Sequence, residues 1–104
     1  MDKTAVIVTI RTKDGRREQL RSLWDAHLRQ RVEASSAQEV YLVVEDAGDP
    51  NVLHLLEVYN DPSEMQRNAT APWFADYMKQ VQPLLAGPPS MVTGSPVWTK
   101  GVPD

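Results

Sequence analysis

The sequence predicts an α+β fold in which one four-stranded antiparallel sheet carries two helices on a single face. Three observations predict it. Four segments are rich in β-branched residues, two segments have helical spacing of apolar residues, and their order is strand, helix, strand, strand, helix, strand. One such set in 104 residues implies a single domain spanning 1–104. A domain of that size removes only about two-thirds of its unfolded surface from water, so a second subunit would add useful burial.

Residues 5–12 (AVIVTIRT) read as the first strand and end at the turn Lys13-Asp14-Gly15. From 16 to 33 the apolar positions Leu20, Leu23, Trp24, Leu28 and Val32 recur at helical spacing, with His27 as an amphipathic member and charged residues opposite, which predicts one amphipathic helix. After Ser35-Ser36-Ala37, residues 39–45 (EVYLVVE) form a second strand, and a turn centred on Asp46-Ala47-Gly48-Asp49-Pro50-Asn51 leads into a third at 52–59 (VLHLLEVY). Asp61 or Ser63 caps a short helix opening at 63–68; Pro72 breaks the run near Thr70-Ala71 and restarts a longer helix towards Leu85, with Phe74, Tyr77, Met78, Val81 and Leu85 as its buried stripe. Gly87-Pro88-Pro89 ends it. Residues 91–100 give a last strand interrupted by Gly94 and Pro96, and a loose tail covers 101–104.

This order is the split βαβ pattern of a ferredoxin-like fold. Both faces of the predicted strands are apolar: Val6, Val8 and Ile10 alternate with Ala5, Ile7 and Thr9, and Val40, Leu42 and Val44 with Tyr41 and Val43. Helices cover one face. The other is a sheet-sized apolar patch, which predicts pairing of two copies face to face as a homodimeric α/β barrel.

Composition narrows the function classes. Fourteen acidic against 11 basic residues give a net charge of -3, which argues against nucleic acid as a partner. No apolar run reaches the roughly 20 residues of a membrane helix, and the first residues lack a signal-peptide pattern, so the expectation is a cytoplasmic protein with no membrane partner. The absence of cysteine excludes disulfides, thiolate metal sites and a cysteine nucleophile. His27 and His54 have no metal-ligand spacing, and no GxGxxG, GxxxxGK(S/T) or GxSxG motif occurs, so neither a metal nor an organic cofactor is expected.

Residues 53–74 (LHLLEVYNDPSEMQRNATAPWF) resemble the signature of the antibiotic biosynthesis monooxygenase family of dimeric α/β barrels: a strand with Glu-x-aromatic, a turn, a short helix with a histidine, and a Pro-x-Phe element. Glu57, Tyr59, Asp61, Pro72 and Phe74 match. Asn68 stands where many relatives have histidine, and Tyr59 where many have tryptophan. The Asn, Trp and His set of haem-degrading relatives is not reproduced, which disfavours porphyrin chemistry. The resemblance implies a ligand space between the helices and the sheet of each subunit, and cofactor-independent oxygenation of a small aromatic, anthrone- or quinol-like metabolite, as in a tailoring step of secondary metabolism.

Such a reaction requires a base, donors for a developing anion and a dry pocket. Trp24, Tyr41, Tyr59, Trp73, Phe74, Tyr77 and Trp98 are candidates to sandwich a planar substrate; as large aromatics in a small domain, any single one is more readily plain core. His27 is the first candidate base, because imidazole titrates near neutrality, with a core histidine as the alternative. His54 alternates with Leu53 and Leu55 and falls on the face opposite Glu57 and Tyr59, as an interface residue. Asn68 and Tyr77 are candidates to hold a substrate oxygen as it becomes anionic, and Trp73 to stack on a ring; Asn68 alternatively caps a helix end. Glu57 is either paired with Arg11 or Arg67, or a raised-pKa acid in the pocket. The charges at 16–18 and 29–31 read as a solvated helix face. Two further readings of the whole protein stand beside the oxygenase: a non-catalytic ligand-binding or scaffold barrel, and an isomerase, cyclase or lyase using the same pocket without oxygen.

Overall fold

A computed structural model describes residues 3–101. The predicted order is present. β1 (Thr4–Arg11), β2 (Gln38–Glu45), β3 (Val52–Tyr59) and β4 (Ser90–Gly94) form one antiparallel sheet in the spatial order β2-β3-β1-β4. The helical segments are α1 (Arg17–His27), α2 (Arg29–Ala34), α3 (Pro62–Thr70) and α4 (Pro72–Val81), the last continued by a 3-10 turn, Gln82–Leu84. This is the ferredoxin-like βαββαβ architecture.

Two expectations need correction. The first helix is not continuous: Leu28, at φ -107° and ψ -35°, separates α1 from α2. Hydrogen bonds from Leu28 N to Trp24 O and from Val32 N to Leu28 O carry the chain through the break, and the reorientation brings Leu28, Arg31 and Val32 over the sheet. The last strand stops at Gly94 instead of reaching Lys100, because Pro96 has no N–H with which to continue the ladder. Of the tail expected at 101–104, residues 102–104 lie outside the described residues.

The junction of the third and fourth helices follows the sequence closely. The Asp61 side chain accepts from Ser63 N at 3.0 Å, capping α3, and Pro62 occupies the first turn, where no intrahelical N–H bond is lost. Pro72 plays the same part in α4, entered through extended Ala71 (ψ 143°). Asp61→Ala is expected to lower stability, since it leaves Ser63 N without its acceptor. Equilibrium urea unfolding monitored by circular dichroism would read this as a lower midpoint at constant slope.

The space between sheet and helices is filled at one end and open at the other. Ile10, Leu20, Leu53, Leu55, Tyr77, Val81 and Leu84 make the buried cluster, where α1 and α4 pack on the sheet. Its neighbours Val8, Leu28, Tyr41, Phe74 and Met78 border the open end. Among the described residues, no helix covers the opposite sheet face. There Val92, Ile7, Leu56 and Leu42 stand in register across all four strands, and Ile7 (48%), Leu42 (49%) and Val92 (62%) remain exposed despite being large and apolar. His54 lies on this face too, as its alternation predicts, bonded to Asp46 Oδ1 (2.7 Å) and Thr9 Oγ1 (3.1 Å).

Candidate functional site

At the open end of the interlayer lies a cavity of about 770 Å³, large enough for a polycyclic ligand. Val6, Val8 and Leu55 form its floor, α2 and α3 its sides, and Trp73, Phe74, Tyr77 and Met78 of α4 its far wall. The rings of α4 pack as a ladder, with Trp73 and Phe74 edge to face at 5.8 Å and Phe74 and Tyr77 at 6.1 Å.

Inside this apolar shell sits one compact polar group. Glu57 and Tyr59 project from β3 on the helix side, two residues apart and therefore on the same face. Tyr59 Oη donates to Glu57 Oε1 at 2.9 Å, and Gln38 Nε2 donates to both Glu57 Oε1 (3.2 Å) and Tyr59 Oη (2.7 Å). Gln38 reaches them because the register of β2 shifts between Gln38 and Val40. Without that bulge Gln38 would share the outward face of Val40, Leu42 and Val44; the extra residue re-aims its side chain inward.

Burial dominates the electrostatics. Desolvation lifts the Glu57 carboxyl above its ordinary value of 4.5, and the bonds from Tyr59 and Gln38 only partly offset this. Burial also raises the Tyr59 phenol, reinforced by the charge of Glu57, with Gln38 and Asn68 pulling the other way. Tyr77 is pushed up to about 12 by burial alone. Both donors to Glu57 act on Oε1. Oε2 has no hydrogen bond among the described residues, yet no buried side-chain polar atom lacks a partner, so Oε2 keeps contact with the cavity. The Tyr77 hydroxyl meets the same two conditions.

The sequence-derived candidates divide accordingly. Tyr41, Glu57, Tyr59, Asn68, Trp73, Phe74 and Tyr77 all line the cavity. Among the described residues, Asn68 caps no helix with its side chain; its backbone carbonyl accepts from Ala71 N. Among the described residues, Glu57 pairs with no arginine: Arg11 pairs with Asp49, and Arg67 with Asp61. Trp24 is outside the cavity, donating its indole N–H to Tyr41 Oη at 3.1 Å from behind. His27 is outside it as well, half-buried between Tyr77, at 5.9 Å between ring centres, and Gln80. Trp98 lies beyond β4 and is 77% exposed. Sequence reasoning missed Gln38, whose placement depends on the bulge, and Arg31, which lines the cavity although its charge run reads as solvated surface.

Comparison with known proteins agrees with this geometry at the level of the fold. No protein-family model matches the chain, and no curated protein matches it. Among solved structures, a protein from Chloroflexus aurantiacus provisionally named an antibiotic biosynthesis monooxygenase superposes with a TM-score of 0.79 at 21% identity, over 97% of this chain and 99% of its own. A protein from Nitrosomonas europaea with the same provisional name gives 0.84 at 15%, over 96% and 95%. Rv0793 from Mycobacterium tuberculosis gives 0.80 at 26%, over 95% and 99%. The chain therefore shares the fold of structures named for that family over nearly its whole length. No helix among the described residues is long and apolar enough to cross a membrane.

Proposed function

We propose that this chain is a homodimeric oxygenase of an electron-rich aromatic, anthrone- or quinol-like metabolite, using dioxygen as the oxidant without metal or organic cofactor. The observation that carries the reading is Glu57: a carboxyl raised by burial, held by Tyr59 and Gln38 through one oxygen, with the other open to a largely apolar cavity of polycyclic size.

In this reading Glu57 is the base, a role that passes to it from His27, which is outside the cavity. Glu57 Oε2 takes an acidic C–H or O–H proton from the bound substrate, and the resulting anion is electron-rich enough to reduce dioxygen. For an anthrone the sum balances as one ring methylene and one dioxygen giving one ketone and one water. Both C–H bonds of the methylene are broken, its carbon is oxidised to the ketone, and dioxygen supplies both the ketone oxygen and the oxygen of the water. Tyr77 Oη and the Asn68 amide, both on the cavity wall, donate in this reading to the substrate oxygen as negative charge builds there. Tyr41, Trp73 and Phe74 hold the ring system. Two copies pair through the helix-free sheet face, which leaves each cavity on the outer, helical side of its own sheet.

The test is oxygen uptake by metal-stripped protein with a panel of anthrones and hydroquinones, against buffer. Protein-dependent uptake with one ketone formed per dioxygen consumed is the expected result. Ligand binding without uptake would overturn the oxygenase and favour the isomerase or binding readings, both of which use the same cavity.

A further inference from the structure

Arg31 is the one cationic side chain among the described residues lining the cavity, and the oxygenase mechanism gives it no task. Its guanidinium carbon lies 4.0 Å above the centre of the Trp73 ring. It forms no ion pair among the described residues, whereas its neighbour Arg29 is engaged by Asp25 and Glu33. Stacking uses the face of the guanidinium and leaves its edge N–H groups pointing outward in the plane, the geometry that receives a carboxylate through two parallel hydrogen bonds. Trp73 also borders the space a flat ligand would occupy, so an anion bound at that edge continues directly from a ring on the cavity wall.

The acids of the cavity do not supply this anion. Glu57 belongs to the Tyr59 and Gln38 cluster, and Glu64 accepts from Ser35 Oγ at 2.6 Å, a bond tying the end of α2 to α3. We propose that the cavity selects an aromatic carboxylate, whose carboxylate pairs with Arg31 at the rim while its hydroxyl-bearing or acidic-carbon end points inward to Glu57. This rests on the oxygenase reading for the role of Glu57, and adds the substrate class and its orientation.

The test compares two probes that differ only in the anionic group, 6-hydroxy-2-naphthoic acid and 2-naphthol, titrated calorimetrically into the whole protein. The acid is expected to bind about tenfold more tightly, an advantage that shrinks with added salt because the pair is at the rim. Arg31→Gln is expected to erase the preference, with an unchanged circular dichroism spectrum and melting curve reporting that the fold has survived. Arg31→Lys should restore part of the preference, since charge remains but the stacked fork is lost. Equal affinity of the two probes for the unaltered protein, or a preference that persists in Arg31→Gln, would overturn the proposal while the cavity reading stands. Binding of neither probe would overturn both.

Discussion

Glu57→Gln is expected to lower turnover by a factor of about 10² to 10⁴, the usual contribution of a positioned general base, and at the same time to raise the melting temperature at neutral pH. The two effects have one cause. Burial disfavours the ionised carboxylate, so the folded protein holds this proton more firmly than the unfolded chain does. Between the unfolded value near 4.5 and the higher folded value, the native state binds more protons, and stability falls as pH rises through that window. Glutamine keeps the acceptor oxygen for Tyr59 and Gln38 and never ionises. The gain in melting temperature should therefore be small at pH 4, grow through the window, and level off above it. Oxygen uptake and thermal melts over pH 4 to 8 on the same preparations check both halves. Full turnover in the variant, or a difference in melting temperature independent of pH, would remove Glu57 from the base role.

Ile7→Lys is expected to split the proposed dimer without unfolding the subunit. Light scattering of the unaltered protein at micromolar concentration should give twice the chain mass, and the variant should give one. Ile7 is at the centre of the row Val92, Ile7, Leu56 and Leu42, on a face that no described element of its own chain covers. Its 48% exposure means that a lysine there reaches water in the lone subunit. In a two-fold interface every substitution occurs twice, and each uncompensated charge in a buried contact costs about 3 kcal/mol or more, so the two together raise the dissociation constant by roughly ten-thousandfold. A monomeric unaltered protein, or an Ile7→Lys dimer of undiminished affinity, would remove the sheet-to-sheet barrel.

What the sequence made legible was what local chemistry encodes. The bounds of β3 follow from a turn on either side, and the boundary between α3 and α4 from a proline that has only one favourable place in a helix. The break at Leu28 has no such marker, since neither glycine nor proline stands near it; only the docking of α2 over the cavity distinguishes it from a continuous helix. The same limit governed the site. Glu57 and Tyr59 come together through strand alternation, which a sequence displays, and the α4 aromatics through helical spacing. His27 shares an apolar stripe with Leu20 and Leu28, but spacing identifies the stripe without identifying what it meets, and at His27 it meets Tyr77 and Gln80 of α4 instead of the cavity. Gln38 was hidden for a different reason: a one-residue bulge inverts the parity by which strand faces are assigned.

The arrest of β4 at Gly94 also bears on how the chain behaves when crowded. A sheet edge is a row of unsatisfied peptide groups onto which any extended polypeptide can add, and β4 is such an edge, every residue of it exposed. It is only five residues long, with Pro88 and Pro89 before it and Pro96 soon after, so the template is short and flanked by residues that cannot complete a ladder. An apolar strand running unbroken to Lys100 would have offered about twice that length for edgewise, fibril-like growth. Gly94 and Pro96 thus act as gatekeepers, discouraging self-association along the β4 edge of the sheet.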